Sequence, residues 1–177
     1  MARARSFALA VGIVLALGVA AAACGDGASQ AAAGSSARVV RVIDGDTLVV
    51  HVDGRDEHVR LIGIDTPETK KPGTPVECFG PQAAAELASL LPPGTAVRLE
   101  RDQEARDRYD RLLAYVYRDS DGLFVERAML DGGYAGPLVI APNTAHRTEL
   151  EASADAARAA RRGLWGACGG FHVPGGG

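Results

Sequence analysis

The nine residues Arg60-Leu-Ile-Gly-Ile-Asp65-Thr66-Pro67-Glu68 constrain the fold more than any other stretch of this 177-residue chain. Val59, Leu61, Ile62 and Ile64 are β-branched or aliphatic, so the segment opens as a strand; Pro67 has no N–H and ends its ladder. Arg60 and Asp65 have opposite parity and would stand on opposite faces of a flat strand. Gly63 can relieve that conflict, because a bulge or a close backbone approach often sits at a strand glycine. Asp65 and Glu68 then fall where the strand breaks into a loop, the usual place for chemistry on a rigid scaffold. Taken alone, the same residues also describe a strand end with solvated charges.

The flanking sequence supplies the partners such a strand needs. Arg38 to Ile43 and Thr47 to Val52 read as strands, and the organising strand runs from Glu57 to Ile64. Asp44-Gly45-Asp46 and Asp53-Gly54 mark the turns of a meander. Thr69 to Val76 holds two prolines, a glycine and the chain's only lysines, Lys70 and Lys71, and is predicted as a loop. A helix starts at Gly80-Pro81 and carries Ala83, Leu87, Leu90 and Leu91 at helical spacing; Pro92-Pro93-Gly94 stops it. Ala96 to Glu100 and Leu112 to Tyr117 are the fourth and fifth strands. Phe124 to Leu130 is a short helix stopped by Gly132-Gly133. Leu138 to Ile140 is too short to assign. A last helix is capped by Asn143 or Thr144, has Leu150, Ala154 and Ala157 on one face, and stops at Gly163. The expected fold is α+β, mainly β: a five-stranded barrel of the OB type with three helices. A layered parallel fold needs strand–helix alternation, which the first three strands lack.

The apolar fraction of 47% permits a real core, and the formal charge is −3. Without Arg3 and Arg5, 17 basic side chains face 22 acidic ones, a balance of −5. A nucleic-acid binder is usually basic, so a polyanion would have to meet a local patch or a bound metal here. Arg3 and Arg5 precede an apolar run from Phe7 to Ala23, the pattern of a secretory signal. Ala21-Ala22-Ala23 before Cys24 resembles a bacterial lipobox, which would place a diacylglycerol on Cys24. Cleavage after Ala23 with Cys24 left free, and an uncleaved membrane anchor, are the other readings. A leader over 1–24, a flexible tether over 25–37, a folded domain over 38–168 and a Gly-rich tail over 169–177 complete the expected organisation. An exported monomer is expected, touching membrane only through its N-terminal lipid or anchor.

Asp44, Asp46, Asp65 and Glu68 converge if the meander forms. Clustered carboxylates repel, and some take up protons unless a cation joins them. Calcium suits such a set, being a hard ion that takes carboxylates, backbone carbonyls and water. No Cys/His group has zinc spacing, and His51, His58, His146 and His172 read as scattered structural residues. Arg106-Asp107-Arg108-Tyr109-Asp110-Arg111 reads either as a solvated turn or as a source of guanidinium forks for phosphate, with Arg60 as a second fork. Two arginines, a carboxylate-held metal and a spare carboxylate are the parts of phosphodiester hydrolysis.

Three fragments carry a resemblance in register: Asp44-Gly-Asp46-Thr47, Arg60 through Thr69, and Arg108-Tyr109-Asp110-Arg111-Leu-Leu-Ala-Tyr115. With Phe79-Gly80-Pro81 and Pro142-Asn143-Thr144 they resemble the staphylococcal, or micrococcal-type, thermonuclease family from about Arg38 to Trp165. The resemblance implies an OB-fold barrel and Ca²⁺-dependent cleavage of DNA and RNA to 3′-phosphate products. By the same resemblance Asp46 and Asp65 supply metal carboxylates and Thr66 a backbone carbonyl, with Asp44 behind them. Arg60 and Arg111 match the phosphate-clamping arginines and Glu68 the general base or water-orienting group. Arg108 and Tyr109 match substrate contacts, and Lys70 and Lys71 lie in the basic loop. Leu138 and Ile140 stand where the family's type member has tyrosines, and Asp110 replaces a glycine.

With Cys24 lipidated, Cys78 and Cys168 remain as a pair. The family's fold is expected to bring the end of the last helix near the start of the first, and export supplies the oxidising compartment a bridge needs. Two buried free thiols are the alternative. Two other functions compete with catalysis: an OB-fold binding module that has lost activity, and a surface lipoprotein with a protein partner. Asp46, Arg60, Asp65, Glu68 and Arg111 are all present, whereas a decayed module should have lost one. Salt-sensitive binding would mark a polyanion partner.

Overall fold

Alternating apolar residues set the barrel wall. In the computed structural model, which describes residues 35–70, 73 and 75–175, strands β1 (Ser35–Val42), β2 (Thr47–Val52) and β3 (Arg55–Leu61) form the expected antiparallel meander. The leader, Cys24, most of the tether and Lys71 lie outside the described residues. β1 shifts register between Val39 and Arg41 and also pairs with β5 (Ala96–Glu100). β5 pairs with β6 (Leu112–Arg118), which the two-residue β7 (Leu123–Phe124) extends. A parallel pairing of β3 with β6, Arg60 opposite Leu113, closes five strands into a barrel. Closure removes the exposed sheet edges. It also brings Arg60 beside the strand that Arg111 immediately precedes.

The organising segment is two strands rather than one. β3 ends at Leu61, and Gly63 takes φ +84°, where a Cβ would stand 2.3 Å from Leu150 Cδ1. Only glycine tolerates both the left-handed backbone and that close approach. The chain re-enters as β4 (Gly63–Asp65) and pairs antiparallel with β8 (Gly136–Leu138), Asp65 opposite Gly136. The turn puts Arg60 and Asp65 within reach of each other, which a flat strand would forbid.

The helices cover the barrel. α1 (Gly80–Leu90) has Pro81 in its first turn and buries Ala83 and Leu87; α2 (Val125–Asp131) buries Val125, Met129 and Leu130. α3 (Arg147–Ala159) packs against α2 through a face that includes Leu150, Ala154 and Ala157. Full burial of each large aliphatic side chain, Leu87 or Leu150 for example, contributes about 1.5–3 kcal/mol. α3 starts later than expected: His146 is its N-cap and no side chain caps it. Asn143 is engaged elsewhere, accepting the Glu104 N–H at 2.8 Å and donating to Glu104 O at 3.0 Å. A one-turn helix, α4 (Leu164–Ala167), ends at Cys168, which is bridged to Cys78 with Cα atoms 6.0 Å apart. No helix among the described residues is long and apolar enough to cross a membrane.

Glu126 is fully buried under β6, where both carboxylate oxygens accept the Val116 N–H (3.0 and 3.1 Å). Burial pushes its carboxyl well above the usual range, against the lowering effect of the backbone N–H. The unfolded chain therefore releases this proton at lower pH than the folded one. The contribution is fully present below the ordinary carboxyl value and is lost as pH rises toward the raised folded value. Glu126→Gln, an isostere of the protonated acid, is expected to flatten this descent. Its Tm advantage over the parent should grow from pH 4 to pH 7; parallel Tm profiles would contradict the assignment.

Candidate active site

The site forms where β2, β3 and β4 meet the loop before β6. The tight Asp44-Gly45-Asp46 turn lies directly against Thr66: a Cβ on Gly45 would fall 2.7 Å from Thr66 Oγ1. Asp46 is buried and densely bonded. Its Oδ1 accepts the Thr47 hydroxyl at 3.0 Å; its Oδ2 accepts the Thr66 N–H and hydroxyl at 3.2 and 3.1 Å. Arg60 reaches the same Oδ2 at 3.1 Å and donates to Asp65 Oδ1 at 2.9 Å, while its other terminal nitrogen donates to Leu61 O and Ile64 O. Asp44 Oδ1 accepts the Asp46 N–H at 3.2 Å.

Asp46 and Asp65 thus share one guanidinium, with Asp44 directly behind them. Burial, then the charge of Asp46, pushes the Asp44 carboxyl up. Burial also raises Asp65; the Arg60 guanidinium and His172 lower it, and Asp46 adds to the rise. Hard oxygen donors with excess negative charge in a partly buried turn fit a hard dication. Asp46, Asp65 and the Thr66 carbonyl are the donors that could hold one, with water completing the set. The expected convergence of four carboxylates is only partly met. Glu68 Oε1 accepts the N–H groups of Thr69 and Lys70 at 2.9 and 2.7 Å, on its own loop. Among the described residues no three His, Cys, Asp or Glu side chains stand close enough to hold an ion by themselves.

Across the rim, the Arg106–Arg111 run is ordered by Asp107, which in sequence is only one member of a charged turn. Asp107 Oδ1 accepts the Tyr109 and Arg111 N–H groups at 2.9 and 3.0 Å, and its Oδ2 accepts Arg111 Nε at 2.7 Å. Burial pushes the Asp107 carboxyl up, but these donors outweigh it and leave the group below its ordinary value. Asp110 takes φ +64°, the left-handed backbone that a glycine adopts freely, and Asp tolerates it better than most residues. Arg106 is not a site fork; it pairs with Glu57 at 2.9 and 3.1 Å. Arg108 donates to the Tyr109 hydroxyl at 2.6 Å, and both side chains are exposed. Lys70 is exposed, next to Glu68 through its N–H.

Arg60, Arg108, Tyr109, Arg111, Leu138 and Ile140 line one cavity of about 380 Å³. Of the four exposed large apolar side chains among the described residues, three (Tyr109, Leu138 and Ile140) stand here. Such a cavity pairs two guanidinium forks with an apolar wall, which suits a ligand with an anionic end and a flat apolar end.

Comparison with known proteins follows the same residues. The family described as staphylococcal nuclease homologue matches residues 58–167. The thermonuclease of Staphylococcus intermedius is 42% identical over 132 residues, 75% of this chain and 77% of that protein. The thermonuclease of Staphylococcus hyicus is 38% identical over 128 residues, 72% and 74% of the two chains. Endonuclease YncB of Bacillus subtilis is 38% identical over 127 residues, 71% of this chain and 59% of that protein. With the barrel, the buried aspartate turn and the paired arginines in place, the chain belongs to the staphylococcal nuclease family.

Proposed function

We propose that this protein is an exported, calcium-dependent nuclease that hydrolyses DNA and RNA phosphodiesters and leaves 3′-phosphate ends. The observation that carries the reading is the placement of Arg60 and Arg111 on one cavity, beside the two aspartates that share the Arg60 guanidinium. The names of the relatives, thermonuclease and endonuclease, support the same activity.

Asp46, Asp65 and the Thr66 carbonyl would hold the calcium, which when bound would supply Lewis-acid stabilisation of charge on phosphate. Asp44 orders the turn that carries Asp46. Arg111 presents its two terminal nitrogens to phosphate oxygens, and Arg60, whose terminal nitrogens are held by Asp46, Asp65 and the Leu61 and Ile64 carbonyls, adds its positive charge beside them; together they offset the charge that grows during attack. Asp107 fixes the Arg111 fork through Nε and leaves the terminal nitrogens for substrate. Glu68 orients the attacking water and accepts its proton. Water adds to phosphorus, the bond to the 5′ oxygen breaks, and that oxygen takes a proton from solvent. Arg108, Tyr109, Lys70 and Lys71 steer and hold the strand.

Export rests on the leader and agrees with the Cys78–Cys168 bridge, which an oxidising compartment preserves. Lipidation at Cys24 and a tether shortened to the residues before β1, which starts at Ser35 rather than Arg38, would hold a monomeric domain at the cell surface. End-group analysis of digests of single-stranded DNA and of RNA tests the reaction: 3′-phosphate and 5′-hydroxyl ends are expected, and 5′-phosphate ends would contradict these roles.

The wall formed by Leu138 and Ile140 replaces aromatic stacking with aliphatic contact, so affinity should rest mainly on phosphate. Stacking contributes about 1–3 kcal/mol per base. Ile140→Tyr is expected to tighten binding of a short nucleotide by an amount in that range with little change in kcat. An unchanged Kd in a folded variant would place the base elsewhere.

A further inference from the structure

The residues after the disulfide fold back onto the site. Val173 O accepts the Cys78 N–H at 2.8 Å, Gly175 N–H donates to Val76 O at 3.0 Å, and Pro174 pairs antiparallel with Glu77. Phe171 stacks near Trp165, with ring centroids 6.4 Å apart, and lies over Gly136 of β8. These contacts deliver His172, whose φ of +56° lies in the left-handed region that few side chains other than Asn, Asp and His adopt. Its Nδ1 is 2.8 Å from Glu77 Oε2, and its Nε2 is 3.3 Å from Asp65 Oδ2. The same Glu77 Oε2 accepts the Glu68 N–H at 2.8 Å, and the Glu77 N–H returns to Glu68 O at 2.8 Å.

We propose that His172 is a positioning residue of the site: by spanning Asp65 and Glu77 it orients a cation-binding carboxylate and, through Glu77, the backbone that carries Glu68. The inference rests on the calcium-dependent nuclease reading and extends it to a segment beyond the family match at residues 58–167. The imidazole touches the Phe171 ring, with centroids 3.9 Å apart, but that contact does not require its two nitrogens to face carboxylates. Its side chain is 49% exposed, and the tail is already fastened by backbone pairing, Phe171 and the disulfide. What the ring adds is a link between two acidic side chains, Asp65 at the end of β4 and Glu77 before α1. Groups that hold a ligating side chain in one orientation tune metal affinity by orienting the donor.

The test is calorimetric titration of calcium into the full chain, held in mild detergent and without nucleic acid. The parent is compared with His172→Ala, His172→Gln and His172→Asn, with Tm recorded for each. His172→Ala is expected to weaken calcium binding by about 10–100-fold. At saturating calcium it should lower kcat on single-stranded DNA while leaving KM within about twofold. A Gln amide nitrogen can stand where Nε2 stands and should recover most of the calcium affinity; an Asn side chain reaches only the Nδ1 position and should not. Unchanged calcium affinity in His172→Ala overturns the inference, as does a gain in turnover, which would mark the tail as a blocking strap. If His172→Ala fails to fold, equal affinities in the Gln and Asn variants overturn it. A parent chain that binds no calcium contradicts the metal reading itself and the inference with it.

Discussion

Arg111→Lys and Glu68→Gln are each expected to lower turnover by about 10²–10³, equivalent to roughly 3–4 kcal/mol of transition-state stabilisation. Lys keeps the charge of Arg111 but loses the planar fork, so phosphate is met by one point charge rather than two parallel N–H groups. It also has no Nε to occupy Asp107 Oδ2 at 2.7 Å, so the substituted cation is no longer aimed. Gln at position 68 keeps an oxygen able to accept the Thr69 and Lys70 N–H groups, and the loop should hold its shape. What disappears is the negative charge that orients water and takes its proton. Neither residue belongs to the buried core, so both variants should melt within a few degrees of the parent. Single-turnover cleavage at saturating calcium checks this; turnover equal to the parent's in either variant would remove that residue from the mechanism.

Loss of the Cys78–Cys168 bridge is expected to be the largest single effect on stability. The two residues are 90 apart in sequence, so the bond closes part of the barrel and all of α1 to α4 into one loop. The chain-entropy relation gives about 4–5 kcal/mol for a loop of that length, reduced by any residual structure in the unfolded chain. Cys168→Ser should lower the urea midpoint accordingly and leave the parent in reductant behaving like the variant. A midpoint that neither substitution nor reductant moves would show that the bond contributes nothing. The bridge also anchors the tail, so Cys168→Ser should weaken calcium binding in the same direction as His172→Ala.

Much of the fold is legible in sequence because local chemistry and tertiary structure agree. β2 matches its predicted span, Thr47–Val52, since alternation and the Asp53-Gly54 turn point the same way. β5 matches as Ala96–Glu100 for the same reason. The Asp46, Arg60 and Asp65 grouping follows from the break at Gly63. Elsewhere tertiary contacts override local preference. β8 is three residues including Pro137, and it exists because β4 supplies a partner; no propensity marks it. Asn143 has the chemistry of a helix cap, but Glu104 offers it a two-bond backbone partnership, and α3 starts uncapped. Asp107 is hidden in a run that alternates cations and anions, where composition gives no means to distinguish a solvated carboxylate from one that aims an arginine. The Gly-rich tail shows only the composition of a linker. Its pairing with residues 76–78 uses backbone groups, which sequence composition does not report.

The most direct measurement is cleavage of single-stranded DNA by the purified chain in calcium, in excess chelator, and in chelator followed by restored calcium. Cleavage is expected in the first, loss of about two orders of magnitude or more in the second, and recovery in the third. Equal cleavage with and without chelator, or binding of DNA without cleavage in calcium, would contradict a calcium-dependent nuclease built on Asp46, Arg60, Asp65, Glu68 and Arg111.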